Sequence, residues 1–474
     1  MVKRDLLQDL RDGNKLSIRE MIQLTITLSI PSVIAEISYI LMEFIDASMV
    51  GSLGAEASAS VGLVATTTWL IGGILRSITL GFTVQVAHLY GAKNYRDARN
   101  VARHGVVILL MIGIILSIFA FLISPYLPIW LGGGESISLM ATQYFMIYAF
   151  TLPFTALSFC AGGMLQCGGN MKTPGILNVL TCILDVIFNY FLINDYHEIF
   201  LFGNYLYIKG AGLGVEGAAI GTLLASMITS FLMVYFLFVK SKNLSYRQEL
   251  LKKIDKEEIF TAIKISFPIA FENLLAGGAQ IVSTKIVAPL GNMSIAANSF
   301  AITTEGFCYM PGYGLSAAST TVVGQSMGAG RKNTARKIGW ICMITGMTVM
   351  GIVAILMYAL SYNVIGLLTP VRDIRILGSK VLRIEMFAEP FFAASIVGAG
   401  VFRGFQDTLV PSIINFSTMW LIRLPLAYFL SKMIGLSGVW YAMCIQLTIC
   451  GILFILRMIF KYRKEQFKKA YLNN

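Results

Sequence analysis

Apolar residues run along this chain in blocks of about twenty, separated by short polar stretches, and that length matches a helix crossing a hydrocarbon core. Twelve blocks predict helices over residues 21–47, 57–86, 101–123, 138–164, 174–194, 215–239, 261–288, 294–325, 338–368, 380–402, 411–431 and 436–460. Few polar residues interrupt them. The first block holds three carboxylates, Glu36, Glu43 and Asp46, the last two within "MEFIDASMVG" at 42–51. A charged side chain at a bilayer centre costs roughly 2.5–3.5 kcal/mol on insertion scales, so such residues face protein or water and point to function.

The blocks also recur as a set. Adding 237 to a residue number takes Pro31 to Pro268, Leu53-Gly54 to Leu290-Gly291 and Thr83 to Thr320. The same step takes Gly91-Ala92 to Gly328-Ala329, Pro153-Phe154 to Pro390-Phe391, Pro174 to Pro411 and Asn178 to Asn415. One offset holding across the blocks is a duplication. Six helices per half is an even number, so both halves lie the same way up, related by a pseudo-twofold axis along the membrane normal. Secondary transporters built from parallel repeats bind substrate between such halves.

The expected fold is therefore an all-α integral membrane protein of twelve transmembrane helices in two six-helix lobes. Its expected parts are a cytoplasmic N-terminal segment (1–20), an N-lobe (21–239), a cytoplasmic linker (240–260), a C-lobe (261–460) and a basic cytoplasmic tail (461–474). About sixteen extra residues follow the fifth block and are expected to form an outer hairpin or loop.

Composition agrees. Hydrophobic residues make up 56% of the chain and charged residues 13%, against about 25% charged in a soluble domain. A net charge of +12 would suggest nucleic acid for a soluble protein. Here 28 of the 37 Lys and Arg fall in segments on the N-terminal side of the membrane and six on the other. The positive-inside rule then puts both termini in the cytoplasm, in the inner membrane, with no nucleic-acid partner. Residues 1–20 are charged and lack a signal-peptide pattern.

The three histidines and seven cysteines form no ligand cluster in sequence, so no metal site is expected. No P-loop is present, and Gly212-Leu213-Gly214-Val215-Glu216-Gly217 follows no strand, which leaves close helix packing as the reason for its glycines. The GxGD context of an intramembrane aspartyl protease is absent. The chain reads as no enzyme.

Several motifs remain: "P-x14-D-x-x-M-V-G-x-L-G" from Pro31 to Gly54, "GAKNYRDA" at 91–98 with its repeat "GAGRKNTA" at 328–335, "GVEGAAIGT" at 214–222, "RGFQDTLVP" at 403–411 and "WLIRLPLAY" at 420–428. In order, spacing and twofold recurrence they resemble the multidrug and toxic compound extrusion (MATE) family of drug/cation antiporters. The resemblance implies that Asp46 binds the coupling ion and that Pro31 is a helix-bending proline. Asp185 and Asn189 stand where the family often has Asn-x-x-x-Asp, with the order exchanged; four-residue spacing keeps both on one helical face. Thr222 matches a further polar position, and Asn178 joins the ion-coupling set or serves as an interhelical amide.

The C-lobe departs from the family pattern. The acid expected eight residues after Pro268 is Ala276 here, and Glu272 stands one turn earlier. An acid expected near Phe392 is displaced to Glu389. Glu272, Gln280, Glu305 and Glu389 are the candidates for the substrate cavity, with Lys285 as a neutralising cation and Arg423 as a brace. The implied function is export of organic, cationic compounds in exchange for H⁺ or Na⁺, by a monomer in membrane lipid, with no cofactor beyond the coupling ion. Any Na⁺ would sit at the ion-coupling residues. Alternatives are a lipid-linked oligosaccharide flippase of the same superfamily, which needs a cationic cavity, and, further off, a channel.

Overall fold

The computed structural model describes residues 5–201, 204–245 and 255–472. A short amphipathic helix, α1 (Leu6–Asp12), starts at Asp5, whose carboxylate accepts from the amides of Leu7 and Gln8. Ser17 then opens α2 (Ile18–Gly51) with a capping box. Its amide donates to the Glu20 carboxylate at 2.8 Å and its hydroxyl accepts from the Glu20 amide at 3.2 Å, satisfying donors that a helix start leaves unpaired. Arg331 donates to the Leu10, Gly13 and Asn14 carbonyls, closing the other end of α1.

The remaining N-half elements are α3 (Ala55–Gly91), α4 (Tyr95–Ile123), α5 (Leu127–Trp130), α6 (Glu135–Cys167), α7 (Lys172–Ile193) and α8 (Gly214–Tyr235). The second half adds α9 (Lys256–Val287), α10 (Asn292–Gly328), α11 (Lys332–Leu368), α12 (Arg372–Glu385), α13 (Glu389–Gly404), α14 (Leu409–Ser417), α15 (Leu424–Ile434) and α16 (Leu436–Leu472). Among the described residues, ten helices, some continued by a short 3-10 or π turn and one formed by α14 and α15 through such a turn, are long and apolar enough to cross a membrane, and α12 with α13, bent by 59°, make an eleventh as a pair. The twelfth is α10, 37 residues long; the serines, threonines and glycines it buries lower its hydropathy. Isoleucines and leucines such as Ile115, Leu122, Ile355 and Leu421 remain exposed, as a lipid-facing surface requires.

The twelve expected blocks each have a helix, with two differences and one expectation met. The tenth is broken: Pro390, at the start of α13, has no N–H to continue the helix from α12. The extra residues after α7 form the expected hairpin, antiparallel β1 (Tyr196–Leu201) and β2 (Asn204–Lys209). Residues 461–472 are not a separate tail but continue α16. Residues 246–254 of the expected linker lie outside the described residues.

The chain forms two compact units. One comprises residues 1–36, 87–93 and 267–474, the other residues 37–86 and 94–266. The divisions therefore fall inside α2, α3 and α9 and between α3 and α4, those in α2 and α9 lying close to Pro31 and Pro268. In the first unit α10 packs on α11 and α13, and α13 on α16; in the second α8 packs on α6 and α7, and α4 on α6.

The sequence repeat reappears as a reciprocal contact within the first unit. A Cβ on Gly91 would overlap the backbone of Gln325, and one on Gly328 would overlap the backbone of His88. Gly91 and Gly328 are 237 positions apart, and so are His88 and Gln325. This self-complementary contact is what a twofold relation produces, and it explains why both copies of the 91–98 motif begin with glycine.

The "RGFQD" turn closes with a charge cluster. Asp407 accepts from Arg457 Nη2 and from Lys461 Nζ, each at 2.8 Å. Burial raises its carboxyl, but the hydrogen bonds and charges of Lys461 and Arg457 outweigh that and hold it below the usual carboxylate range. The resulting stability is complete above the unfolded carboxylate value, about 4, and is lost as pH falls through the lower folded value. Asp407→Asn is expected to cost about 1–3 kcal/mol at pH 7, with the gap to wild type narrowing in thermal scans as pH falls below the unfolded carboxylate value, about 4. A gap of equal size across that range would contradict this account.

Candidate functional site

Asp46 lies fifteen residues after Pro31 on α2, and Asn189 fifteen residues after Pro174 on α7. Equal depth lets the two side chains meet. Asn189 Nδ2 donates to Asp46 Oδ1 at 2.8 Å and to Asp185 Oδ2, one turn earlier on α7, at 3.1 Å. One carboxamide thus holds two carboxyl groups. Asp185 and Asn189 are fully buried. Asp185 Oδ1 and Asn189 Oδ1 are also buried and accept no hydrogen bond.

Thr222, on α8, stands beside the Asp185 carboxyl, its hydroxyl donating to the Ala218 carbonyl at 3.2 Å. A small apolar cluster of Val50, Ala57, Ile193, Val215 and Ala218, with Tyr144 packed against it, lies alongside. Asn178, two turns before Asp185 and half-buried, shares no hydrogen bond with these residues. The structure brings Asp46, Asp185, Asn189 and Thr222 together and places beside them Tyr144, which no polar periodicity marks.

The glycines of "GVEGAAIGT" explain how α8 comes so near. A Cβ on Gly217 would meet the Leu192 carbonyl at 2.5 Å, and one on Gly221 would overlap Asn189 Oδ1. Small residues four apart let helix backbones approach. Gly221→Ala is expected to push the Asn189 carboxamide off the two carboxyls and to cut transport at least tenfold, with the protein still in the membrane. Transport at wild-type rate by that variant, measured against its membrane content, would dissociate Asn189 from function.

The second half repeats the device at another depth. Asn415 Nδ2 donates to Glu272 Oε1 at 2.6 Å, and Cys450 Sγ lies 3.1 Å from Asn415 Oδ1. Glu272 is four residues after Pro268, and Asn415 four after Pro411. Both amide–carboxyl pairs span 143 positions. The second pair is displaced from the repeat register by eleven residues on each helix. That is three turns, or about 16 Å, and it returns both side chains to nearly the same face.

A further acid group sits in the same unit. Glu385 and Glu389 are fully buried, and neither carboxyl oxygen of either accepts a hydrogen bond. Glu305, also buried, interacts electrostatically with both, and Arg423 with Glu305 and Glu385. Arg423 ends a π-helical segment, Thr418–Arg423, just before Pro425, and donates to Met443 Sδ at 2.9 Å. The missing N–H of Pro425 and the wide π turn go together, as at many functional sites. Glu385 was not singled out from sequence, although its four-residue spacing to Glu389 was a readable signal. Gln280 is exposed on α9. Among the described residues, no three His, Cys, Asp or Glu side chains are arranged to hold a metal ion.

Chemically, two carboxyls on one amide, with two buried oxygens unfilled, suit a small hard cation or a proton. Oxygen donors are what hard cations take, and a protonated carboxyl supplies the missing O–H donor.

The MatE family model matches residues 31–191 and 268–429, two segments that begin at Pro31 and at its repeat mate Pro268. Among similar proteins is a probable multidrug resistance protein NorM of Thermotoga maritima, 27% identical over 426 residues that cover 88% of each chain. Another probable multidrug resistance protein NorM, from Mannheimia succiniciproducens, is 23% identical and covers 93% of this chain and 94% of that one. A MATE crystal structure in the straight conformation superposes with a TM-score of 0.87 at 21% identity, over 98% of this chain and 100% of that one. A Pyrococcus furiosus transporter of the MOP superfamily, described as having a binding pocket of reverse polarity, does so at 0.85 and 20% identity, over 97% and 98%.

Proposed function

This chain belongs to the MatE family, and on that footing we propose that it is a secondary active exporter that moves organic cations out of the cell in exchange for H⁺ or Na⁺. The observation that carries the reading is the buried Asp46–Asn189–Asp185 group. Adjacent carboxyls in low dielectric cannot both stay charged without a compensating cation, so ion binding and release change the charge of the site. Pro31, on the same helix as Asp46, removes one backbone hydrogen bond and gives α2 a place to bend. A conformational equilibrium biased by ion occupancy is what coupling requires.

The acids of the other unit support a cationic rather than an anionic substrate. Glu305, Glu385 and Glu389 outnumber the single Arg423 beside them, which argues against a pocket built for pyrophosphate. The proposed orientation places both termini in the cytoplasm of a cell whose inner membrane holds the protein. Cysteines introduced at 240–245 should then resist an impermeant thiol reagent in intact cells, and labelling there would overturn the orientation. Efflux of cationic dyes from a pump-deficient host, with and without a sodium gradient, tests the function; no difference from the empty host under either gradient would refute it.

A further inference from the structure

The first unit carries an open groove of about 990 Å³ where α11 ends and α12 and α16 begin. Its walls include Tyr358 and Tyr362 of α11, Lys380, Arg383 and Phe387 around α12, and Tyr441 of α16. Arg383 Nε donates to the Tyr358 carbonyl at 3.1 Å and to Ser361 Oγ at 2.9 Å, with the guanidinium over the Tyr358 ring. Among the described residues its terminal nitrogens make no hydrogen bond. Lys380 is exposed, and among the described residues no carboxylate pairs with either cation.

The surroundings are not those of a water-facing surface. Phe387 is 69% exposed, and Tyr358, Ile376 and Tyr441 are each more than 40% exposed. Tyrosines near helix ends mark the depth of lipid headgroups. Charge distribution adds an independent sign. Of the six Lys and Arg on the side of the membrane away from the N-terminus, four lie on α12: Arg372, Arg375, Lys380 and Arg383. Positive charge there runs against the topology rule. Arg375 is already stacked over Tyr362, which leaves Lys380 and Arg383 aimed at the groove without an anion.

We propose that this groove binds an anionic phospholipid of the leaflet away from the N-terminus, its phosphate between Lys380 and Arg383 and its acyl chains over Phe387 and Ile376. A basic pocket between membrane helices at headgroup depth recognises lipid in this way. The inference is independent of the transport reading.

The test is native mass spectrometry of the detergent-purified full chain, titrated with phosphatidylglycerol and, separately, with phosphatidylcholine. Phosphatidylglycerol should bind in preference. Lys380→Gln should weaken it roughly fivefold, and Lys380→Gln with Arg383→Gln about thirtyfold, leaving phosphatidylcholine unaffected. Since Arg383 also braces α11, Lys380→Gln alone is the decisive variant, and it leaves every candidate transport residue in place. Equal binding of the two lipids, or undiminished phosphatidylglycerol binding by Lys380→Gln, would overturn the proposal. So would disulfide cross-linking of Lys380→Cys chains to one another in native membranes, which would show a second copy covering the groove.

Discussion

Asp46→Asn is expected to reach the membrane in normal amount and to export no substrate against a gradient. The folded state tolerates the change because an Asn at 46 still offers an oxygen to Asn189 Nδ2, which now donates to Asp46 at 2.8 Å. The structural cost is therefore that of a weakened hydrogen bond, about 1 kcal/mol. What disappears is the ionisable group itself. With one carboxyl left on the shared carboxamide, the pair cannot alternate between a filled and an empty state, and the ion gradient has nothing to act on.

Asp185→Asn should behave the same way, since both carboxyls hang on one amide. The double variant should be little worse than either single one, because groups that act as a unit give strongly non-additive losses. Export assays in everted vesicles, normalised to protein in the membrane, measure this. Wild-type export by Asp46→Asn would sink the coupling mechanism. Two independent partial losses that multiply in the double variant would show two separate sites.

Glu272→Gln is expected to weaken binding of the proposed cationic substrates by about 10–100-fold, the equivalent of one lost charge-assisted interaction of about 1.5–3 kcal/mol. Expression stays near normal, since Gln keeps an acceptor for Asn415 Nδ2 at the position that Glu272 Oε1 occupies, 2.6 Å away. The comparison variant is Glu305→Gln, in the other acid group of the same unit. Unchanged affinity and transport in Glu272→Gln, with both impaired in Glu305→Gln, would move the site to Glu305, Glu385 and Glu389. Equilibrium binding of a fluorescent cation to the purified protein distinguishes the two.

The amino-acid sequence by itself determined the twelve apolar blocks, the duplication and the identity of most of the polar groups buried among them. These are local or linear properties. Hydropathy over twenty residues is set by what a helix must bury or show to lipid, and a constant offset survives any folding. Spacing on one helix was equally legible: Asp185 and Asn189, four apart, had to share a face whatever surrounded them.

Only the tertiary structure decided which helices bring which polar groups together, and how deep. Hydropathy is almost blind to rotation and sliding of a helix in a bundle, yet a hydrogen bond fails within about 1 Å of displacement. Asn178 and Asn415 are repeat mates in sequence, but in the fold Asn415 meets a carboxylate and Asn178 does not; the N-half uses Asn189 instead, eleven residues along. Glu385 was hidden for a related reason. It lies on α12 among Arg, Lys and Asp, where it reads as one more interfacial charge, and only the packing of α12 against α10 and α16 turns it inward toward Glu305 and Arg423. The break before Pro390 could be anticipated from a missing N–H, but its 59° angle could not, because an angle is the outcome of what the two helix segments pack against rather than of the bond that is lost.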